Sequence, residues 1–359
     1  MPPYPDRAAP GHALRHPGVL AALLAAAMFG AGTPLAKSLL GATDPWLLAG
    51  LLYLGSGLGL ALWRLFSRAQ AVQLPPGHWR WLAGAVLAGG VLGPLLLMLG
   101  LSRMPASGAS LLLNAEAVFT ALLAWCVFKE NVDRRIALGM VAIVAGAVVL
   151  SWPGQADLGR AWPALAVLGA CLAWGIDNNL TRQVSLTDAS WIAMVKGLVA
   201  GSVNLALAWT LGGNPSWPSP PVVAAALVLG LAAYGVSLTL FVLALRHLGS
   251  ARTGAYFSVA PFFGALLSLW WLDEPVSTSL VLAGGLMALG VWLHLSERHE
   301  HLHHHEPQAH AHEHEHDEHH RHAHDGPVVG GRHSHAHRHE ALSHAHAHYP
   351  DEHHRHAHE

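Results

Sequence analysis

The sequence predicts an all-α integral membrane protein: ten transmembrane helices as two inverted five-helix repeats, then a disordered His-rich tail. Three observations carry that prediction. Long apolar runs fill residues 17–296, and the whole chain is 52% hydrophobic and only 12% charged, where a soluble domain carries about 25% charge. The two halves of that region repeat at an offset of 144 to 145 residues. The last 62 residues hold 24 of the 29 histidines. The formal net charge of -2 hides two polymers of opposite sign: residues 1–297 carry +4 and residues 298–359 carry -6 with His neutral. The first is too apolar for a soluble enzyme, and the second too polar and repetitive to pack a core. Two cysteines exclude a disulfide framework or a Cys-rich zinc module. No soluble face carries the basic excess that nucleic acid requires.

A helix that crosses the hydrocarbon layer needs about 20 apolar residues. Ten stretches qualify, each bounded by charge, Pro or Gly: 17–40, 45–66, 80–101, 106–128, 134–152, 161–183, 189–211, 221–245, 251–272 and 277–296. The first is apolar on every face from Ala21 to Met28, as a lipid-embedded helix should be. A cleaved signal peptide is the alternative for that stretch; its spanning length and its counterpart in the second half argue against it. The second, third and seventh carry Gly55 and Gly59, Gly89 and Gly93, and Gly197 and Gly201, each pair on one helix face where small residues let backbones approach. Pro34, Pro94 and Pro261 interrupt spans, where each removes a backbone donor and can kink or open its helix. The resulting organisation is a segment 1–16, a first repeat over 17–152, a second over 161–297, and a tail over 298–359.

Orientation follows from positive charge. With a cytoplasmic N-terminus, Arg7, Arg15, Arg64, Arg68, Arg80, Lys129, Arg134, Arg135, Arg182, Arg246, Arg252 and Arg298 fall on the cytoplasmic side, and Arg103 and Arg160 on the other. Ten crossings then put both termini in the cytoplasm of a bacterial-type inner membrane.

The repeat aligns residues 100–148 with 244–292. Leu101 meets Leu245, Phe119 meets Phe263, Glu130 meets Glu274 and Gly146 meets Gly290. Phe29-Gly30 meets Trp174-Gly175, and Lys37 meets Arg182, at offset 145. Each half has an odd number of spans, so the second inserts upside down. Inverted repeats are a common build of secondary transporters, with the substrate site near the midplane between them.

The segments AAMFGAGTPLAKSLL, LLLNAEAVFTALLAWCVFKENV and SARTGAYFSVAPFFGALLSLWWLDEPV resemble the EamA-like group of the drug/metabolite transporter superfamily. The resemblance covers about residues 17–296. It implies a ten-helix inverted-repeat carrier, often an exporter of amino acids, metabolites or drugs. The second half carries the Ala260-Pro261 pair familiar in such carriers, where the first half has Glu116-Ala117.

An ionisable group inside a span costs about 3 kcal/mol on insertion scales, so it usually faces a cavity or a partner. Glu116 lies near the middle of its span, with Asn114 and Ser110 close by. A carboxylate there can bind a cationic substrate, coordinate a metal or cycle a proton; a protonated or hydrogen-bonded structural acid is the bland alternative. Asp177 and Lys196 are placed to pair between adjacent spans, as a gate or as a packing device, with Asn178 and Asn179 lining the same cavity. Lys37 and Arg182 read as side chains that snorkel to the interfaces. Tyr256, with Trp174, Tyr234 and Trp270, is a candidate to line the pathway together with Pro261, though aromatics at interfaces are ordinary. Cys126 and Cys171 read as small core residues.

The tail alternates His with short spacers: His310, His312, His314 and His316; His333, His335, His337 and His339; His344, His346 and His348. Period 2 suits a strand, but the opposite face is not apolar, which favours disorder. Neutral imidazoles on a flexible chain bind Zn, Ni, Cu or Co with low selectivity. The leading expectation is therefore a non-enzymatic secondary carrier that exports small metabolites by alternating access, with Glu116 at its site and a metal-binding cytoplasmic tail. A divalent Zn, Ni or Co exporter is the alternative, and a membrane-anchored metal buffer or sensor the third reading. No HExxH, GxSxG or paired-Asp constellation supports an enzyme. No cofactor is required, Zn, Ni or Co is expected only at the tail, and the partners are the bilayer and a small-molecule or ion substrate, with a homodimer as one option.

Overall fold

The computed structural model describes residues 17–69, 72, 74–75, 77–128, 134–151, 158–184, 187–213, 215–241, 243–244, 256–295, 300–305, 309–314, 333–338 and 342–347. The chain forms two units, Met1–Glu297 and Arg298–Glu359.

The first unit is helical in every one of the ten predicted stretches. The helices are α1 (Pro17–Leu40), α2 (Pro45–Phe66), α3 (Trp79–Ala85), α4 (Gly93–Leu101), α5 (Ala106–Leu112), α6 (Ala115–Phe128), α7 (Arg134–Ser151), α8 (Leu158–Arg182), α9 (Ala189–Thr210), α10 (Pro220–Gly230), α11 (Ala260–Trp271) and α12 (Thr278–Leu295). Among the described residues, seven segments are long and apolar enough to cross a membrane: Pro17–Leu40, Pro45–Phe66, Trp79–Leu101, Ala106–Val127, Arg134–Ser151, Ala189–Thr210 and Pro220–Phe241. Leu20, Leu62, Val141, Leu165, Val228 and Trp292 stand exposed along the helices, an outer surface suited to lipid and not to water.

Local chemistry sets the ends. Asp44 caps α2 by accepting from the Trp46 N–H at 2.8 Å, and Pro45 supplies the first-turn φ without wasting a donor. Pro261 likewise sits in the first turn of α11, while Pro94 lies within the continuous helical span Trp79–Leu101, directly after its π-helical segment. Pro34 lies inside α1, as Pro163 lies inside α8.

The halves mirror one another in their irregularities. A π-helical segment, Val86–Leu92, joins α3 to α4, and a second, Leu231–Val236, follows α10; their first residues are 145 apart. The turn at Leu113–Asn114 that separates α5 from α6 has its counterpart in the turn at Ser258–Val259 before α11, at the repeat offset. The packing is reciprocal as well. Gly30 of α1 lies against Ala260 and Phe263 of α11, and Gly175 of α8 lies against Phe119 and Thr120 of α6. Gly146 of α7 packs on Ala283 and Met287 of α12, while Gly290 of α12 packs on Gly139 and Ile143 of α7. Gly30 and Gly175, Phe263 and Phe119, Gly146 and Gly290, Ala283 and Gly139, and Met287 and Ile143 are matched at offset 144 or 145, as a two-fold relation between the halves produces.

All three glycine pairs picked from the sequence lie at helix contacts. Without a hydrophobic drive between helices in lipid, such close approach supplies the dispersion energy that holds them. At the α2–α10 crossing a Cβ on Gly230 would overlap the Leu52 carbonyl oxygen, which is backbone and cannot swing away. Gly230→Ala should therefore cost at least about 1–3 kcal/mol, the usual penalty of overpacking. Gly285→Ala, which meets open space, should be neutral or slightly stabilising. Thermal melts of the two purified variants check this; equal melting temperatures would contradict the close crossing.

In the second unit, β1 (Glu300–His305) pairs antiparallel with β4 (Leu342–Ala347), and β2 (Ala309–His314) with β3 (His333–Arg338). These four short segments are the part of the tail that the structure describes, where the sequence favours disorder. The period-2 alternation that the sequence shows is the strand repeat, and it sets a defined register even though no apolar face backs it. His316, His339 and His348 lie outside the described residues.

Candidate functional site

The polar residues of the first unit converge where α6, α8, α9 and the π-helical segment Val86–Leu92 meet. The turn at Leu113–Asn114 ends α5, and α6 restarts at Ala115, so Glu116 sits in the first turn of a new helix. A carboxylate there faces the positive end of the helix dipole. Glu116 Oε1 accepts from Asn178 Nδ2 at 2.8 Å, and the same amide reaches Thr120 Oγ1 at 3.3 Å. Glu116 and Thr120 are four apart on α6, so they share a face. Asn178 is exposed and Glu116 half-buried, which leaves this end of the group accessible. Asn179 turns the other way: its Nδ2 donates to Gly175 O at 2.8 Å and to Thr120 O at 3.2 Å, tying α8 to α6.

One turn away, Asp177 and Lys196 form a buried pair. Lys196 Nζ lies 2.6 Å from Oδ1 and 2.5 Å from Oδ2 of Asp177, and Thr181 Oγ1 donates to Oδ1 at 2.8 Å. Gly89 makes room for this carboxylate, since a Cβ there would occupy the Asp177 oxygen position. The π-helical segment also alters the usual backbone pairing around Gly89. Tyr53 OH donates to the Gly89 carbonyl at 2.8 Å and Trp174 Nε1 at 2.9 Å, while Asn204 Nδ2 donates to the Gly90 carbonyl at 3.1 Å. Rings continue the site across the repeat boundary: Phe29 meets Trp174 edge-on at 6.4 Å and Tyr234 at 6.0 Å, and Tyr53 lies 5.3 Å from Tyr234. Phe29 and Trp174 are repeat partners, so their contact lies beside the axis relating the halves.

The arithmetic of charge is simple. Asp177 and Lys196 neutralise each other. Among the described residues Glu116 receives a neutral amide and no Lys or Arg ion pair.

The other candidates divide. Asn114 is buried at the helix break beside Glu116 and donates to Leu111 O at 2.9 Å. Pro261 serves the start of α11. Tyr256 packs against the cluster of Ala21, Ala22 and Ala244, and no contact with the Glu116 group is among those described. Trp270 is 77% exposed and borders, with Ala27, Ala31, Phe263, Leu266 and Leu267, an apolar groove of about 380 Å³. Cys171 is buried as expected, whereas Cys126 is exposed. The sequence reading missed Tyr53, Thr120 and Thr181. The two threonines were findable, each standing four residues after an intramembrane acid; Tyr53 carried no local signal.

Charged residues also fasten the two ends of the bundle. Lys37 does not snorkel: its Nζ donates to Leu101 O at 2.6 Å and Met104 O at 3.0 Å, capping the end of α4. The Glu274 carboxylate accepts from the Ala106 and Ser107 N–H groups at 2.6 and 2.9 Å, capping the start of α5. At the opposite end Arg64 Nη1 lies 3.0 Å from Asp188 Oδ2 and donates to Ser190 Oγ at 2.6 Å. Burial pushes the Asp188 carboxyl up, but hydrogen bonds from Ser190, Arg64 and the Trp191 N–H, with the Arg64 charge, outweigh it and hold the group below its usual value. A depressed carboxyl stabilises above its unfolded value of about 3.9 and loses that contribution as pH falls through the folded value. The melting-temperature gap between the native protein and Asp188→Asn should thus be full near neutral pH and shrink below about pH 4. A gap that widens on acidification would contradict the assignment.

Residues 16–152 and 161–296 each match the EamA-like transporter family, which places the two matches on the two structural halves. An uncharacterized transporter of Methanothermobacter thermautotrophicus is 33% identical over 210 residues, spanning 56% of this chain and 60% of that relative's length. A Pseudomonas fluorescens protein named as a probable 4-amino-4-deoxy-L-arabinose-phosphoundecaprenol flippase subunit ArnE is 36% identical over 83 residues, 23% of this chain and 70% of its own. A solved structure, described only as the crystal structure of a protein, superposes with a TM-score of 0.60 at 20% identity, covering 78% of this chain and 98% of its own, and so shares the fold. With a family match over each half and matching helix contacts in the two halves, the chain belongs to the EamA-like transporter family, a family of multi-pass membrane transporters.

Proposed function

We propose that this transporter is a ten-span secondary carrier that exports a small metabolite by alternating access, with Glu116 as the group that takes the cargo's positive charge or a coupling proton. The single observation behind this reading is the charge balance of the site. Asp177 is neutralised by Lys196, while Glu116 has only the Asn178 amide among the described residues. A lone carboxylate at membrane depth is stable when it holds a proton or a cation and costly when it holds neither. That is the property a coupled carrier needs. A cargo bearing an amine suits Glu116, and the relative named as a probable flippase subunit is named for an amino sugar. The rings of Phe29, Trp174 and Tyr234 supply an apolar wall beside it. The Glu274 and Lys37 contacts close one end of the bundle and have to release for that end to open.

In this reading both termini lie in the cytoplasm and the tail collects transition-metal ions there. A metal ion as cargo is less well supported: among the residues whose side chains are described, no group of three or more His, Cys, Asp or Glu is placed to hold one. The test is a comparison of cells producing the native protein or Glu116→Gln at matched membrane abundance, with metabolites in medium and cytoplasm measured in both. Export predicts a metabolite that accumulates outside only with the native protein.

A further inference from the structure

Two spans depart from their α-helical ladder at matching places. In the first, the Gly93 N–H donates to the Ala88 carbonyl, five residues back, and not to Gly89, four back. In the second, the Ser237 N–H donates to Ala232 in the same way, 144 residues on. The diverted bond takes the usual donor from the Gly89 carbonyl, and Tyr53 OH at 2.8 Å and Trp174 Nε1 at 2.9 Å replace it. The next carbonyl, Gly90, has no ladder donor because Pro94 carries no N–H; Asn204 Nδ2 serves it at 3.1 Å. Buried carbonyls need such partners, so the side chains hold the irregular backbone in place.

The holding groups come from other helices and cross between the halves. Tyr53 stands on α2, Asn204 on α9 and Trp174 on α8. Trp174, in the second half, thus grips the π-helical segment of the first. Its repeat partner Phe29, in the first half, meets Tyr234 inside the π-helical segment of the second, edge-on at 6.0 Å. Gly89 also lies against the Asp177 carboxylate, so the first segment borders the Asp177–Lys196 pair. Between Val86 and Gly93, only Leu87 and Ala88 match their counterparts Leu231 and Ala232 when the segments are aligned on the five-back bond. The halves share the geometry more closely than the side chains.

We propose that Val86–Leu92 and Leu231–Val236 are paired hinges at which their spans bend as the halves exchange access, and that Tyr53 and Trp174 are positioning residues that hold the first hinge in the form seen here. This rests on the reading of the protein as an alternating-access carrier. A π-helical turn is a point where a helix bends, and a few residues suffice to absorb the change. A carbonyl held by a side chain is released when that side chain rotates, whereas a ladder bond is fixed by its neighbours. Repeat-related placement gives each half one hinge, so that the bend made by one half in one state is made by the other half in the opposite state.

The test is amide hydrogen exchange of the full-length protein in detergent, with α2 as the internal reference for a regular buried span. Four versions are compared: native; Tyr53→Phe with Trp174→Phe; a deletion of the lipid-exposed Leu87; and a deletion of the half-buried Ala232. A π-helical turn holds one residue more than the α-helix, so each deletion restores a continuous ladder and keeps the flanking faces in place. Both π-helical segments of the native protein should exchange at least about tenfold faster than α2, as locally opening elements do. The double Phe variant should speed the first segment by about a further fivefold, the scale of a net hydrogen bond, and leave the second unchanged. Each deletion should slow its own segment to the rate of α2 and melt no lower than native protein. Native segments that exchange as slowly as α2 would overturn the hinges, and an unchanged double Phe variant would overturn the role of Tyr53 and Trp174. If a deletion does not fold, those two results still decide. In vesicles loaded with an extract of cytoplasmic small molecules, folded deletion variants should release no more than protein-free vesicles, and release at the native rate counts against the hinges. No release by the native protein itself would instead count against the carrier reading.

Discussion

Under the proposed role of Glu116 as the charge- or proton-holding group, Glu116→Gln is expected to abolish transport while leaving the fold intact. The amide is nearly isosteric, and its oxygen can still accept from Asn178 Nδ2, so the α6–α8 contact survives. What is lost is the ability to hold a proton in one state and a positive charge in another. Ordinary proton-transfer groups contribute about 10²–10⁴-fold to the steps they serve, and loss on that scale brings flux to the background of empty vesicles. Glu116→Asp keeps the charge but shortens the side chain, and should retain part of the flux. The melting temperature of Glu116→Gln should match the native protein, which separates loss of transport from loss of structure. A Gln variant that transports at native rate would make Glu116 a structural acid.

Asp177→Asn acts on the fold. Lys196 then keeps its ammonium among helices with no counter-charge, and breaking a buried pair from one side costs about 3–5 kcal/mol. The destabilisation should appear as a sharply lowered melting temperature. The double variant Asp177→Asn with Lys196→Met should recover most of it, because removing both charges spares the desolvation of each. If the double variant melts as low as the single one, the pair is not the origin of the stability. Transport by the double variant adds a second readout: activity at native level makes the pair a packing device, and its loss makes the pair part of the path.

Much of the architecture could be read from the chain because the bilayer imposes it. Apolar length locates spans, and residues that align in the repeat, Gly30 with Gly175 and Phe263 with Phe119, make the matching contacts Gly30–Phe263 and Gly175–Phe119 in the fold. The Asp177–Lys196 pair was legible for the same reason: charges at membrane depth need partners, and only adjacent spans could provide them. Other features depend on packing that local sequence does not encode. The π-helical segments use residues with ordinary helical propensities, so the double acceptance at Gly89 from Tyr53 and Trp174 appears only in three dimensions. Lys37 could snorkel on its own helix, but the end of α4 offers two carbonyls within reach. Asn114 adjoins Glu116 in sequence, but that its amide turns back to Leu111 at a helix break is visible only in three dimensions.

The central claim is that transport runs through the Glu116 group, and the most direct measurement is flux across a sealed membrane. Native protein and Glu116→Gln are reconstituted at equal density into vesicles loaded with an extract of cytoplasmic small molecules, and the molecules released are followed with and without an imposed proton gradient. The account predicts that native protein releases a cationic or amine-bearing metabolite, faster with the gradient, and that Glu116→Gln vesicles release no more than protein-free vesicles. Equal, gradient-stimulated release of the same metabolite by both proteins would contradict it.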